Sequence, residues 1–189
     1  MVSGPSGSGK DTLVDALRRL EPNLAYSVSA TTRAPRPGEE NGVHYRFLDR
    51  PAFERMLAND EFLETREYAG NLYGTPKNNI LETLSKGKDM VLKPEVNGAM
   101  AVKKAFPRAA LVFLTVPSEE DLWKRLIRRG TESEAAIKHR LEIAKEENVR
   151  FRTFDYLIIN AVFDEALAKL HAILVAERLK VARVLDREP

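Results

Sequence analysis

The chain has 189 residues, 43% hydrophobic and 31% charged, which suits one ordinary globular domain with a sizeable core. A net charge of +2 is too small to argue for a nucleic-acid or membrane partner, and without cysteine there is no disulfide or thiolate metal site. With no apolar run near the ~20 residues of a membrane span and no signal peptide or internal repeat, a reducing, cytoplasmic setting is expected.

The chain opens on Gly4-Pro5-Ser6-Gly7-Ser8-Gly9-Lys10, a G-x-x-x-x-G-K pattern before a helix-like run. Glycines there let the backbone curl so that N–H groups converge, and the helix adds its positive dipole end. Lys10 would neutralise the outer phosphates of a nucleotide. A plain glycine turn before a helix is the blander alternative. Asp11 stands where a Mg²⁺-binding hydroxyl is usual; it suits either metal contact through water or simply the first helical turn, and Thr12 offers a hydroxyl one residue on. Only Met1, Val2 and Ser3 precede the loop, so its strand is expected to be curtailed or to start upstream.

Thr12 to Leu20 predicts a helix stopped by Glu21-Pro22-Asn23, and Leu24 to Ser29 a short strand. Residues 30 to 41 concentrate Thr, Arg, Pro and Gly; Pro35 and Pro37 forbid a helix, leaving an ordered loop that carries Arg33 and Arg36. Val43 to Phe47 alternates like a strand, Arg50 to Leu57 starts a short helix, and Phe62-Leu63-Glu64 and Tyr68 to Gly74 are two strands joined by a tight turn. The flanks alternate helix and strand. Helices are expected over Asn78 to Lys86, Gly98 to Ala105, Leu122 to Arg129 (capped by Ser118), Ser133 to Glu147 and Phe163 to Ala182. Strands are expected over Asp89 to Leu92, Ala109 to Val116 and Tyr156 to Asn160. Such alternation implies an α/β fold, a parallel sheet with helices on both faces, with ligands at the carboxyl ends of the strands.

Three further clusters carry chemistry. Arg33 and Arg36 with Tyr45, downstream of Ser29, form a rigid phosphate-gripping set, unless they are merely solvated. Arg125 and Arg129 share a helix face, with Arg128 beside them and Arg140 beyond a Gly130 hinge; they suit a lid that closes over a nucleotide, or a basic solvated face. Glu64, with Tyr73 and Thr75 soon after, could accept two hydrogen bonds from adjacent N–H groups on one purine edge, or be an ordinary surface acid.

With these clusters in place the chain resembles guanylate kinases along nearly its full length. The resemblance lies in Ser3 to Lys10, Ser27 to Glu39 (with T-T-R-A-P-R-P-G-E), Asn41-Gly42-Val43-His44-Tyr45, Phe62-Leu63-Glu64, Gly70-Asn71-Leu72-Tyr73-Gly74-Thr75 and Arg129-Gly130-Thr131-Glu132. It implies a P-loop kinase core over 1–30, 80–125 and 141–189, a strand-rich monophosphate-binding insert over 31–79 and a short helical lid over 126–140. It implies ATP-dependent phosphorylation of GMP to GDP with Mg²⁺, in purine nucleotide metabolism, with no nucleic-acid or membrane partner. Matching positions imply that Ser29, Glu64 and Thr75 hold guanine, with Glu95 also on the acceptor side. Arg33, Arg36, Tyr45 and Tyr73 would hold the GMP phosphate. The ATP side would comprise Gly4, Pro5, Ser6, Gly7, Ser8, Gly9, Lys10, Asp11 and Thr12, with Asn160 near adenine. Lys10, Arg125, Arg129 and Arg140 would act in catalysis, and Thr12 and Glu95 would organise Mg²⁺ through water.

The chain departs from the family pattern in three places. Asp11 follows the loop lysine, Lys93 replaces the first of two acids spaced by one residue, and Ala161-Val162 stand where acids are usual. Lysine followed by Asp also occurs in ribose 1,5-bisphosphate phosphokinases, which makes that activity the rival expectation. A non-catalytic guanylate kinase-like binding module is a third.

Overall fold

The computed structural model describes residues 1–68, 70–127 and 134–185. In chain order the strands are β1 (Val2–Ser3), β2 (Ala25–Tyr26), β3 (Ala30–Thr31), β4 (Arg46–Phe47), β5 (Phe62–Tyr68), β6 (Asn71–Pro76), β7 (Met90–Val91), β8 (Val112–Thr115) and β9 (Tyr156–Ile159). The helices are α1 (Lys10–Leu20), α2 (Arg50–Ala58), α3 (Asn78–Ser85), α4 (Val96–Ala105), α5 (Glu119–Ile127), α6 (Glu134–Asn148), α7 (Phe163–Arg178) and α8 (Val181–Leu185), with a 3-10 turn over Val149–Thr153. They fall into two compact units, Met1–Pro22 with Ala110–Pro189, and Asn23–Ala109.

The first unit is built on a parallel sheet of order β1-β8-β9, pairing Val2 with Val112 and Val112 with Tyr156. Apolar side chains of β8 fill its core: Val112, Phe113 and Leu114 are buried with Leu13, Val14 and Leu17 of α1 and Ile158 of β9. Helix α1 packs on β1 and α7, and α7 on β9, giving the α/β layering that the helix–strand alternation predicts. Ser118 accepts from the Asp121 amide (3.1 Å) and donates to its carboxylate (2.6 Å), which fixes the start of α5 as the sequence suggests.

The second unit holds a parallel β2-β7 pair and a four-stranded mixed sheet of order β4-β3-β6-β5. The strand expected from Leu24 to Ser29 is shortened to Ala25–Tyr26, which pairs with β7. After irregular Ser27-Val28-Ser29, Ala30–Thr31, expected to open a loop, forms a strand of the other sheet instead. Val43 and His44, expected in a strand, instead form a turn in which both amides donate to the Glu40 carbonyl, leaving only Arg46–Phe47 extended. The expected break before Tyr68 is also displaced: β5 runs through Tyr68 and the reversal comes at Gly70 (φ 74°). Phe53 of α2 is fully buried and stacks on Phe62 of β5 (centroids 4.5 Å, 21°), with Ala30, Leu48, Met56 and Leu72 around them.

The helix expected from Phe163 to Ala182 ends at Arg178 and resumes at Val181. Buried Glu177 accounts for the break. It takes hydrogen bonds from Tyr156 Oη (2.5 Å) and Arg183 Nη2 (2.7 Å) and pairs with Lys180 Nζ (2.5 Å), and turning the chain at Leu179 brings the last two cations back to it. Beside it, at the C-terminal end of α1, Glu21 meets His171 Nε2 (2.8 Å) and Arg178 Nη1 (2.9 Å) of α7.

Phe53→Ala removes a ring from a filled core and should cost about 3–5 kcal/mol, read as a lowered urea midpoint by circular dichroism. Hydrogen bonds from His171 and then Arg178 hold the Glu21 carboxyl below its ordinary range. Its stabilisation is therefore complete above that range and is lost as pH falls through the lowered value. Glu21→Gln should flatten this part of the acid-unfolding profile; an unchanged profile would show that the pair contributes nothing.

Candidate functional site

In the first unit β1 delivers the chain into the glycine loop, and the loop runs straight into α1. Gly9 caps α1 in the left-handed region (φ 96°). A Cβ there would stand 2.6 Å from Asn160 Nδ2, so both the turn and the close approach require glycine. Gly9 has no side chain to cap the helix, and the start of α1 presents the positive end of its dipole, which favours an anion. Asn160, buried just past β9, donates through Nδ2 to the Ser8 carbonyl (2.8 Å). Arg125 of α5 reaches the same carbonyl through Nη1 (3.4 Å) and the Asn160 carbonyl through Nη2 (2.7 Å). Lys10 Nζ donates to the carbonyls of Gly4 (2.5 Å) and Pro5 (3.0 Å), and Arg140 Nη2 donates to Ser6 Oγ. Ser8 Oγ is buried without a hydrogen bond among the described residues. Lys10, Arg125, Arg140 and Asn160 thus gather around one loop, a concentration of donors suited to phosphate.

In the second unit the mixed sheet sets Glu64 of β5 in register with Thr75 of β6, and Thr75 Oγ1 donates to Glu64 Oε1 (2.6 Å). Burial pushes the Glu64 carboxyl above its ordinary value; the Thr75 hydrogen bond and the Arg66 charge act against this, and the Glu95 charge adds to it. Glu95 sits at the N-cap of α4 and makes no side-chain cap hydrogen bond.

Arg33, past the end of β3, lies over the rings of Tyr45 (5.5 Å) and Phe47 (5.7 Å) and interacts with Tyr73. Tyr45 and Tyr73 meet edge to face at 6.2 Å. Glu39 accepts both Arg33 Nη2 contacts (2.9 and 3.0 Å) and the Arg36 amide (2.7 Å), fastening the proline-braced loop into a ring. The Arg36 side chain is exposed, and the Ser29 carbonyl accepts the Arg46 amide (2.8 Å). Lys93, at the family's usual acid position, lies 4.8 Å over the Tyr26 ring.

A family model described as Guanylate kinase matches residues 1–177. The chain belongs to the guanylate kinase family. It is 48% identical to a guanylate kinase of Carboxydothermus hydrogenoformans over 97% of this chain and 90% of that one. Against the guanylate kinase of Bacillus subtilis strain 168 the figures are 45%, 99% and 92%. Its fold is similar to the crystal structure of guanylate kinase from Anaplasma phagocytophilum, with a TM-score of 0.81, 33% identity, and 97% and 88% of the two chains covered.

Set beside the expectations for a guanylate kinase, the acceptor-side residues Arg33, Tyr45, Glu64, Tyr73 and Thr75 all lie on or beside one sheet, and Lys10, Arg125, Arg140 and Asn160 around one loop. Asp11 and Thr12 are exposed in the first turn of α1. Arg129, with Arg128 and Gly130, lies outside the described residues. Asn160, expected near adenine, has its amide turned to the loop. One residue, Glu39, and one role, that of Asn160, had no place in the sequence-based expectations. Glu39 was legible in principle, since an acid three residues past Arg36 across a Pro-Gly turn is in reach of both arginines. The use of Asn160 as a loop brace had no sequence signal, because 152 residues separate it from Ser8.

Glu39→Gln replaces a charge-assisted acceptor of the Arg36 amide by a neutral one. Amide exchange at Arg36 should accelerate about tenfold, matching a loss of roughly 1.4 kcal/mol; unchanged exchange would show that the loop is held otherwise.

Proposed function

We propose that this protein is a guanylate kinase that transfers the γ-phosphoryl group of ATP to GMP, releasing ADP and GDP. The observation that carries the reading is the Glu64 carboxylate, half-buried and fixed by Thr75 on the sheet that also bears Tyr73 and has Arg33 and Tyr45 beside it. A carboxylate so placed can accept from two neighbouring N–H groups of guanine, with Thr75 and Ser29 completing the base contacts. Arg33, Arg36, Tyr45 and Tyr73 would hold the acceptor phosphate.

On the donor side Lys10 and the loop amides would bind the ATP phosphates. Arg125, Arg129 and Arg140 would neutralise charge on the migrating group as an acceptor oxygen attacks the γ-phosphorus and the bond to the β-bridging oxygen breaks. The proposed functional division follows the family's parts: core 1–30, 80–125 and 141–189, acceptor insert 31–79 and lid 126–140.

The donor chemistry also fits Mg²⁺, which takes oxygen ligands and keeps several waters. Thr12 offers an exposed hydroxyl at the start of α1 and, in the other unit, Glu95 offers a carboxylate, each suited to meet hydrated Mg²⁺ through water. Bound there, Mg²⁺ would neutralise phosphate charge. No helix among the described residues is long and apolar enough to cross a membrane. With ATP and GMP as its partners the enzyme would act in the cytoplasm.

Asp11 alone favours ribose 1,5-bisphosphate as acceptor, but that sugar has no base edge to donate to Glu64. A coupled ADP-release assay with GMP, dGMP, AMP and ribose 1,5-bisphosphate separates the two. GMP should be turned over, and Glu64→Ala should raise its KM at least about hundredfold, since hydrogen bonds to a charged group contribute about 1.5–3 kcal/mol each. The KM for ATP should stay within twofold. Turnover of the sugar bisphosphate without GMP, or equal loss for both nucleotides, would overturn the assignment.

A further inference from the structure

The Glu64 carboxylate occupies space that only glycine at position 98 leaves open. Gly98 is buried in the first turn of α4, the third residue after the uncapped N-cap Glu95. A Cβ there would stand 2.6 Å from Glu64 Oε2, 2.8 Å from its Cδ and 3.3 Å from Oε1. The first two distances are shorter than van der Waals contact allows, and the atoms met are those that would touch a base. The carboxylate has little freedom to retreat, because Thr75 Oγ1 holds Oε1 at 2.6 Å. Its position against α4 is also one where the first-turn N–H groups attract an anion. Glycine is a poor helix former, and Gly98 is not in the left-handed region, so backbone conformation does not demand it. The close approach does.

We propose that Gly98 is a specificity-setting position of the acceptor site: its bare Cα lets α4 serve as the wall against which Glu64 is aimed at the base. It is a positioning residue that acts through Glu64, and the inference rests on the guanine-reading role proposed above. Thr75 fixes one oxygen and the Gly98 backbone limits the other, so together they set the direction in which the carboxylate accepts hydrogen bonds. A side chain at 98 would push the carboxylate off Thr75 and out of line with the purine, while leaving the phosphate loop of the other unit untouched.

The test compares the full-length protein with Gly98→Ala, Glu64→Ala and the double variant, in thermal melts without nucleotide and in steady-state assays with GMP, AMP and ATP. Gly98→Ala should raise the KM for GMP at least tenfold and narrow the preference for GMP over AMP by a similar factor, with the KM for ATP within twofold. The melts supply a readout that a merely structural glycine would not move. With Glu64 present, Gly98→Ala should lower Tm; with Glu64 already alanine, the same change should raise Tm, because the clash is gone and alanine is the better helix former. Folding of the double variant where Gly98→Ala alone does not fold would support the same coupling. A KM for GMP within twofold of wild type, equal losses for GMP and ATP, or the same Tm shift in both backgrounds would overturn the proposal. Absence of GMP turnover in the wild-type protein would instead overturn the functional reading, and the Tm coupling would still decide whether Gly98 makes room for Glu64.

Discussion

A carboxylate partly withdrawn from water needs a partner, and the mixed sheet of the second unit is organised around that requirement at Glu64. The Thr75 hydroxyl satisfies one oxygen, the register of β5 with β6 sets the distance, and α4 closes the other side. The Phe53–Phe62 stack holds the same strand from beneath. Moving any of these elements would leave a half-buried acceptor poorly satisfied, a loss comparable to that of a single hydrogen bond. The packing of the sheet and the chemistry of the site are thus one constraint.

Arg33 and Arg125 follow a related rule: both are held in place by neighbouring groups of the chain. Arg33 is forked onto Glu39 and covered by two rings, and Arg125 is braced by the carbonyls of Ser8 and Asn160. Side chains fixed in this way lose less freedom when they bind phosphate, which is how arginine's entropic cost is kept small. Burial of Arg33 works against its charge, but the hydrogen bond and charge of Glu39 outweigh it and raise its affinity for the proton further.

Much of this was legible from residue order alone. The glycine loop, the Ser118 cap and the apolar β8 each carry a local signal whose physics is short-range, and the structure repeats them. The misplaced boundaries have longer-range causes. Residues 24–31 are divided between two sheets, and the break after Arg178 depends on Glu177 gathering Tyr156, Lys180 and Arg183. Glu64 and Thr75 were singled out through the resemblance to guanylate kinases, Glu64 alone reading as an ordinary surface acid, and their pairing required knowing the register. Glycine 98 looked like an ordinary helix start, because nothing in the sequence says which side chain will press against it.

The lysine of the phosphate loop is already engaged, its ammonium resting on the carbonyls of Gly4 and Pro5. Any anion drawn to this ammonium would compete with the loop's own oxygens, and what the lysine would add to affinity is a difference between two partners rather than the full strength of an ion pair. The same ammonium ties two carbonyls of the curled backbone together, so one side chain sets both the shape of the loop and the place of its charge.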